Sequence, residues 1–163
     1  MLLELTLRLS SSAFEHNGAI PRQYTCDDRD MSPPLAWEDV PNGTQSFALI
    51  VDDPDAPDPA APKMVYVHWV VFDIPANVRS LAEATTAKNL PSGARQGVND
   101  FSKHDYGGPC PPIGRHRYYH KLYALDVLLG DRGELTKQSL LAAMKGHVLA
   151  EAELIGTYQR GKR

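Results

Sequence analysis

Cysteine is scarce in this sequence, with only Cys26 and Cys110 among 163 residues. Two are too few for the disulfide framework of a small secreted scaffold. Two reduced thiols are the expectation, and a bridge stays open because sequence alone does not show how closely the two Cα atoms approach. An excess of basic charge is also missing: Lys and Arg total 17 against 20 Asp and Glu, a net charge of −3. Nucleic-acid binders ordinarily carry a basic stripe. Here only Arg115, Arg117 and Lys121 bunch, which argues against nucleic acid as the main partner. No apolar run approaches the length of a membrane span. The first ten residues have no basic start and no unbroken apolar stretch, so they do not read as a signal peptide, and the expected location is the cytoplasm.

Catalytic signatures are absent as well. There is no G-x-S-x-G elbow, no Walker loop, no G-x-G-x-x-G and no C-x-x-C. No cofactor is called for, and a hydrolase would have acids and bases without an obvious nucleophile. Cys110 would serve only as a stabilised thiolate, and a small buried hydrophobe is its plainer role. A binding protein is therefore expected rather than an enzyme.

What the chain does contain is a series of short apolar runs. A hydrophobic fraction of 42% with 23% charged residues is enough for an ordinary core. No repeat, low-complexity tract or linker divides residues 1–163, which read as one domain. Met1 to Ser10 alternates apolar and polar residues, as an edge strand does. Phe47 to Val51, Val65 to Ile74, Arg117 to Leu129 and Leu154 to Tyr158 read as further strands, the second being richest in Val and aromatic residues. One helix is predicted. Thr136 can cap it, Leu140, Leu141, Met144 and Val148 fall at helical spacing, and Lys145 and His147 suit the negative end of its dipole. A further helical turn is expected over 82–87. The sum is a mainly antiparallel β protein of packed sheets with a helix towards the end.

Three clusters could carry chemistry. Asp52-Asp53-Pro54-Asp55-Ala56-Pro57 places carboxylates where a strand gives way to a stiffened turn, and Asp53 shares a face with Leu49 and Val51. Such strings are more often plain solvated turns. His68 lies inside the richest strand, on the face of Tyr66, Val70 and Phe72 by simple alternation, with Trp69 opposite. A buried imidazole needs a partner, and bonding to backbone is the usual outcome. The loop from Tyr106 to Gly114 combines Gly107-Gly108 with three prolines, a rigid setting in which free amides can cradle an anion. His116 and Tyr118 follow on one strand face. His116 and His120 imitate a metal pair, but four residues along a strand span roughly 13 Å, too far for one ion. No metal site is called, although a divalent site of two His and two Asp assembled from separate segments stays open.

In this order, D-P-D-A-P from Asp53 to Pro57, H-W at His68-Trp69, and G-G-P-C-P-P followed by H-R-Y at His116 to Tyr118 closely resemble the phosphatidylethanolamine-binding family. S-P-P-L-A-W at Ser32 to Trp37, G-V-N-D at Gly97 to Asp100, L-Y-A-L-D at Leu122 to Asp126 and A-M-K-G-H-V-L-A at Ala143 to Ala150 extend the resemblance over nearly the whole chain. It is nearest to the bacterial Raf-kinase-inhibitor-like (YbhB/YbcL) branch. The resemblance implies a large antiparallel sheet packed with a smaller one, with peripheral helices. It implies a pocket for phosphate, a phosphorylated headgroup or a similar anion, built by Asp53, Asp55, Ala56, Pro57, Tyr66, His68, Gly108, Cys110, His116 and Tyr118. It also implies regulation or inhibition of a kinase or protease partner, and a homodimer. The alternative is an enzyme using the same Asp and His residues for phosphoryl or ester hydrolysis.

Because carboxylates repel phosphate, Asp53 or Asp55 is expected to accept a hydrogen bond from His68 or His116, leaving an imidazolium, a tyrosine hydroxyl and loop amides to meet the anion; a carboxyl sharing its proton directly with a phosphate oxygen is the other route. Asp28, Ser102 and Asp105 stand where this branch is expected to have glycine, so rearranged loops are expected wherever those positions need left-handed backbone.

Overall fold

The computed structural model describes residues 6–161, so Met1 to Leu5 of the predicted N-terminal strand lie outside the described residues. The chain runs β1 (Arg8–Ser10), β2 (Gly18–Ala19), a 3₁₀ turn (Arg22–Tyr24), β3 (Leu35–Glu38), β4 (Ser46–Ala56), β5 (Met64–Pro75), β6 (Ser80–Leu81), β7 (Arg95–Gln96), β8 (His116–Leu125), α1 (Lys137–Met144) and β9 (Val148–Tyr158). β1, β3 and β6 form a small antiparallel sheet, and a six-stranded sheet runs β2-β9-β8-β4-β5-β7. Among the described residues only the short β2–β9 pairing is parallel. The mainly β architecture of a large and a small sheet with one helix towards the C-terminus is as the sequence implied.

The large sheet is buried on both faces, which is why β4 and β5 are nearly unbroken apolar runs rather than alternating ones. On one face Phe47, Leu49 and Val51 of β4, Trp69 and Val71 of β5 and Leu122 of β8 pack against Leu9, Leu35, Trp37 and Leu81 of the small sheet. On the other, Ala48 and Ile50 join Val70, Phe72 and Leu125 beneath Leu140 and Met144 of α1. Fully burying side chains of this size stabilises by about 1.5–3 kcal/mol each relative to exposure.

Several element boundaries differ from expectation. β4 continues through Asp52 and Asp53 to Ala56 instead of ending at the Asp-Pro string. β9 begins at Val148, not Leu154. The helical spacing of Leu140, Leu141, Met144 and Val148 does not carry through, because the helix ends at Met144 and Gly146 turns the chain with φ +84°. Lys145 and His147 therefore lie beyond the helix. Its start is as predicted, a reciprocal cap in which Thr136 Oγ1 accepts from the Ser139 amide while Ser139 Oγ accepts from the Thr136 amide. The stretch 82–87 forms turns rather than a helix.

Candidate functional site

The carboxyl end of β4, the start of β5 and the start of β8 lie side by side at one end of the large sheet. With the loop from Phe101 to Pro112 they enclose a cavity of about 280 Å³, lined by Asp53, Ala56, Pro57, Tyr66, His68, Cys110, His116 and Tyr118 together with Met64, Phe101, Pro111 and Pro112. The first eight were named from the sequence. Met64 was legible too, since 64, 66 and 68 share a strand face; Phe101 comes from a loop whose position no local pattern reveals.

His68 reaches this cavity through a β-bulge. Val51 pairs with Trp69 and Asp52 with Val67, so His68 is the extra residue of its strand. Simple alternation fails there: Val70 and Phe72 pack under α1, while His68 joins Tyr66 at the pocket. Neighbouring groups replace the sheet bonds the bulge removes. Asn99 Nδ2 and the Gly107 amide donate to the His68 carbonyl at 3.0 and 3.2 Å, and the Val67 amide donates to Asp100 Oδ2 at 2.7 Å. The G-V-N-D motif thus supports the histidine. The ring donates from Nδ1 to the Gly107 carbonyl at 2.7 Å, which leaves Nε2 as an acceptor. Burial holds its pKa below the ordinary value, against the opposing pull of that bond and of the charges on Asp53, Asp30 and Asp52. His68 is a neutral acceptor rather than the expected imidazolium.

Asp53 and His116 form a closed pair. Asp53 Oδ1 accepts from the Asp55 amide at 2.7 Å, and Oδ2 lies 2.6 Å from His116 Nδ1. His116 Nε2 donates to the Ile113 carbonyl at 2.8 Å. For both ring bonds to be made, carboxyl and imidazole together hold two protons, so the pair carries no net charge. The expected bond between an Asp and a His is therefore present, but neither ring nitrogen of His116 is left for a ligand. Tyr118 is only 1% exposed and stacks edge-on against His68 at 5.2 Å. Its hydroxyl has no partner among the described residues. Burial first, then the Asp53 charge, raises its pKa, so it stays a protonated donor.

Two residues named from the sequence do not line the cavity. Asp55 turns to Arg117, which holds it from Nε at 2.9 Å, Nη2 at 2.8 Å and the main-chain amide at 2.9 Å. That guanidinium keeps the Asp55 carboxyl below the usual carboxylate range. The Gly108 amide donates to Asp30 Oδ1 at 2.8 Å, and a side chain at Gly108 would collide with Asp30 and the Tyr24 carbonyl. With the Gly107 amide bonded to His68, neither glycine offers the open anion nest expected of this loop. Cys110 is not a thiol. It is bridged to Cys26 with a Cα–Cα distance of 5.4 Å, which corrects the expectation of reduced cysteines and fixes the pocket loop to the segment after β2. Among the described residues no cluster of three or more His, Cys, Asp or Glu is arranged to hold a metal ion.

The profile of the phosphatidylethanolamine-binding protein family matches residues 10–159. The chain belongs to that family. A UPF0098 protein of Methanothermobacter thermautotrophicus is 49% identical over 156 residues, covering 95% of this chain and all of the relative. Among solved structures, a phosphatidylethanolamine-binding protein homolog of Chlamydia trachomatis is 41% identical with a TM-score of 0.88, covering 96% of this chain and 99% of that one. YbcL of Escherichia coli is 31% identical with a TM-score of 0.85, covering 95% and 99%. These likenesses place the chain in the YbcL-like bacterial branch of the phosphatidylethanolamine-binding protein family.

Of the three positions where that branch is expected to have glycine, only Ser102 has left-handed backbone, with φ 60°. It sits beside Phe101, at the pocket rim. Asp105 does not need glycine; its carboxylate instead accepts from the Ala87 amide and Gln96 Nε2 at 3.0 and 2.8 Å. Asp28 likewise lies outside the left-handed region. Among the described residues no helix is long and apolar enough to cross a membrane.

Proposed function

We propose that this member of the phosphatidylethanolamine-binding protein family is a binding protein that seats the phosphate-like head of a small molecule in the cavity between β4, β5 and β8. The observation that carries the proposal is the Tyr118 hydroxyl: buried, held protonated, and without a partner among the described residues. A buried hydroxyl left unsatisfied costs about 1–3 kcal/mol, and an oxyanion in the cavity would relieve that cost. His68 lines the same space, and Met64, Tyr66, Phe101, Pro111 and Pro112 would clasp an apolar body attached to the head. Binding is preferred to hydrolysis through a thiolate because Cys110, the thiol weighed above as a nucleophile, is consumed in a disulfide. A phosphorylated side chain of a kinase or protease presents the same head, so regulation of such a partner is the wider role proposed.

The test is thermal unfolding of wild type and Tyr118→Phe with phosphate, phosphoethanolamine, phosphoserine and phenyl phosphate. A ligand at about a hundred times its dissociation constant should stabilise the wild type by about 2.7 kcal/mol. Stabilisation by at least one of these compounds, reduced in Tyr118→Phe, is the expected result. No stabilisation by any of them would remove the reading.

A further inference from the structure

The polar groups around the cavity do not match a fully ionised anion. Tyr118 offers one hydrogen-bond donor. Tyr66 already donates its hydroxyl hydrogen to the Asp100 carbonyl at 3.0 Å, and both His116 ring nitrogens are engaged by Asp53 and the Ile113 carbonyl. Arg117 is bound to Asp55 and, through Nη1, to the Tyr119 hydroxyl at 3.0 Å. Among the described residues no Lys or Arg lines the space. What remains is an acceptor, His68 Nε2, whose lone pair would repel an oxygen carrying no hydrogen.

We infer that the pocket binds its ligand together with one proton, shared between a ligand oxygen and His68 Nε2, and so selects a protonatable phosphoryl head over a permanently ionised sulfate ester. This rests on the anion-binding reading above and specifies its chemistry. A hydrogen phosphate monoester supplies both partners at once: its P–OH donates to His68 Nε2, and another of its oxygens accepts from Tyr118. A phosphate dianion binds by taking a proton from solvent. A sulfate ester has no hydrogen to donate, so it binds only when His68 itself is protonated. The groups facing His68 are Asp52 and Asp53 from β4, Tyr66 from β5, Tyr118 and His120 from β8, Asp30 from the loop after the 3₁₀ turn, and the Phe101 ring, with His116 lining the same cavity. The acidic residues among them favour a proton at His68 once an anion arrives, while burial opposes one in the free protein.

Titration calorimetry with phenyl phosphate and phenyl sulfate tests this, with each pH run in two buffers of different ionisation enthalpy. Phosphate monoesters lose their second proton near pH 6. At pH 7.5 the wild type should therefore take up about one proton per phenyl phosphate bound, and its dissociation constant should rise about tenfold per pH unit above that. At pH 6 phenyl sulfate should bind at least about tenfold more weakly than phenyl phosphate. His68→Gln, which keeps a polar side chain, should lose the proton uptake and the preference together. Phenyl phosphate binding with no buffer-dependent heat, or equal affinity for the two esters at pH 6, would overturn the inference and leave the binding reading intact. If neither ester binds, both fall.

Discussion

His120 shows how one residue ties the fold to pH. It sits wholly buried on β8, donates from Nδ1 to the Tyr118 and Leu154 carbonyls, and packs against Phe14. Its Nε2 has no partner among the described residues. Burial lowers its pKa from 6.5 to about 4. The unfolded chain thus binds a proton near pH 6 that the folded one refuses, and stability falls as pH drops through this window. The loss attributable to His120 is about 3 kcal/mol between pH 7 and pH 4. Denaturant unfolding across that range should show the slope, and His120→Leu should flatten part of it; an unchanged slope would mean that the ring titrates in the folded state. His68, lowered in the same direction, adds to the slope. Neither effect is visible in the sequence, because alternation places a histidine on a face without revealing what lies opposite.

At the scale of elements, the pocket depends on an irregularity. The bulge at His68 is sustained by the segment from Gly97 to Asp105, where Asn99 makes four side-chain bonds. Its Nδ2 donates to the His68 and Asp105 carbonyls, and its Oδ1 accepts from the Phe101 and Lys103 amides. Asn99 thereby sets both an inner group of the pocket and its outer wall. Asn99→Ala should cost about 1–3 kcal/mol of stability and weaken anion binding, though residue 99 does not line the cavity. Equal affinity in the variant would show that the bulge holds without it. The interiors of β4, β5 and β8 were legible because their apolar runs are long. Their ends were not: β4 runs on through three buried aspartates that composition alone marks as a turn, and Val148 keeps helical spacing while starting a strand.

For the whole molecule, long-range pairings decide the site. Arg117 claims Asp55 across 62 positions of sequence, and Cys26 meets Cys110 across 84. Neither pairing follows from local periodicity, so ordered motifs identified the pocket region without showing which carboxylate faces the cavity. The disulfide closes a long loop and fastens one wall of the pocket. Such a cross-link stabilises by about 4 kcal/mol, chiefly by restricting the unfolded chain. Reduction, or the double change Cys26→Ser with Cys110→Ser, should lower the unfolding free energy by about that amount and weaken ligand binding; calorimetric unfolding with and without reductant measures the first. No change in stability would mean that the loop is held by its other contacts, such as Gly108 to Asp30 and Tyr106 to the Tyr24 carbonyl.

The cavity between Asp53, His68, His116 and Tyr118 is proposed to receive an oxyanion head. A crystal structure of the wild type with phenyl phosphate tests it most directly. The predicted result is a phosphoryl group inside that cavity, one oxygen within hydrogen-bond distance of the Tyr118 hydroxyl and another within reach of His68 Nε2, with the phenyl ring against Phe101 and Pro112. A ligand bound only elsewhere, or a phosphoryl group pointing to solvent while the ring fills the cavity, would contradict it.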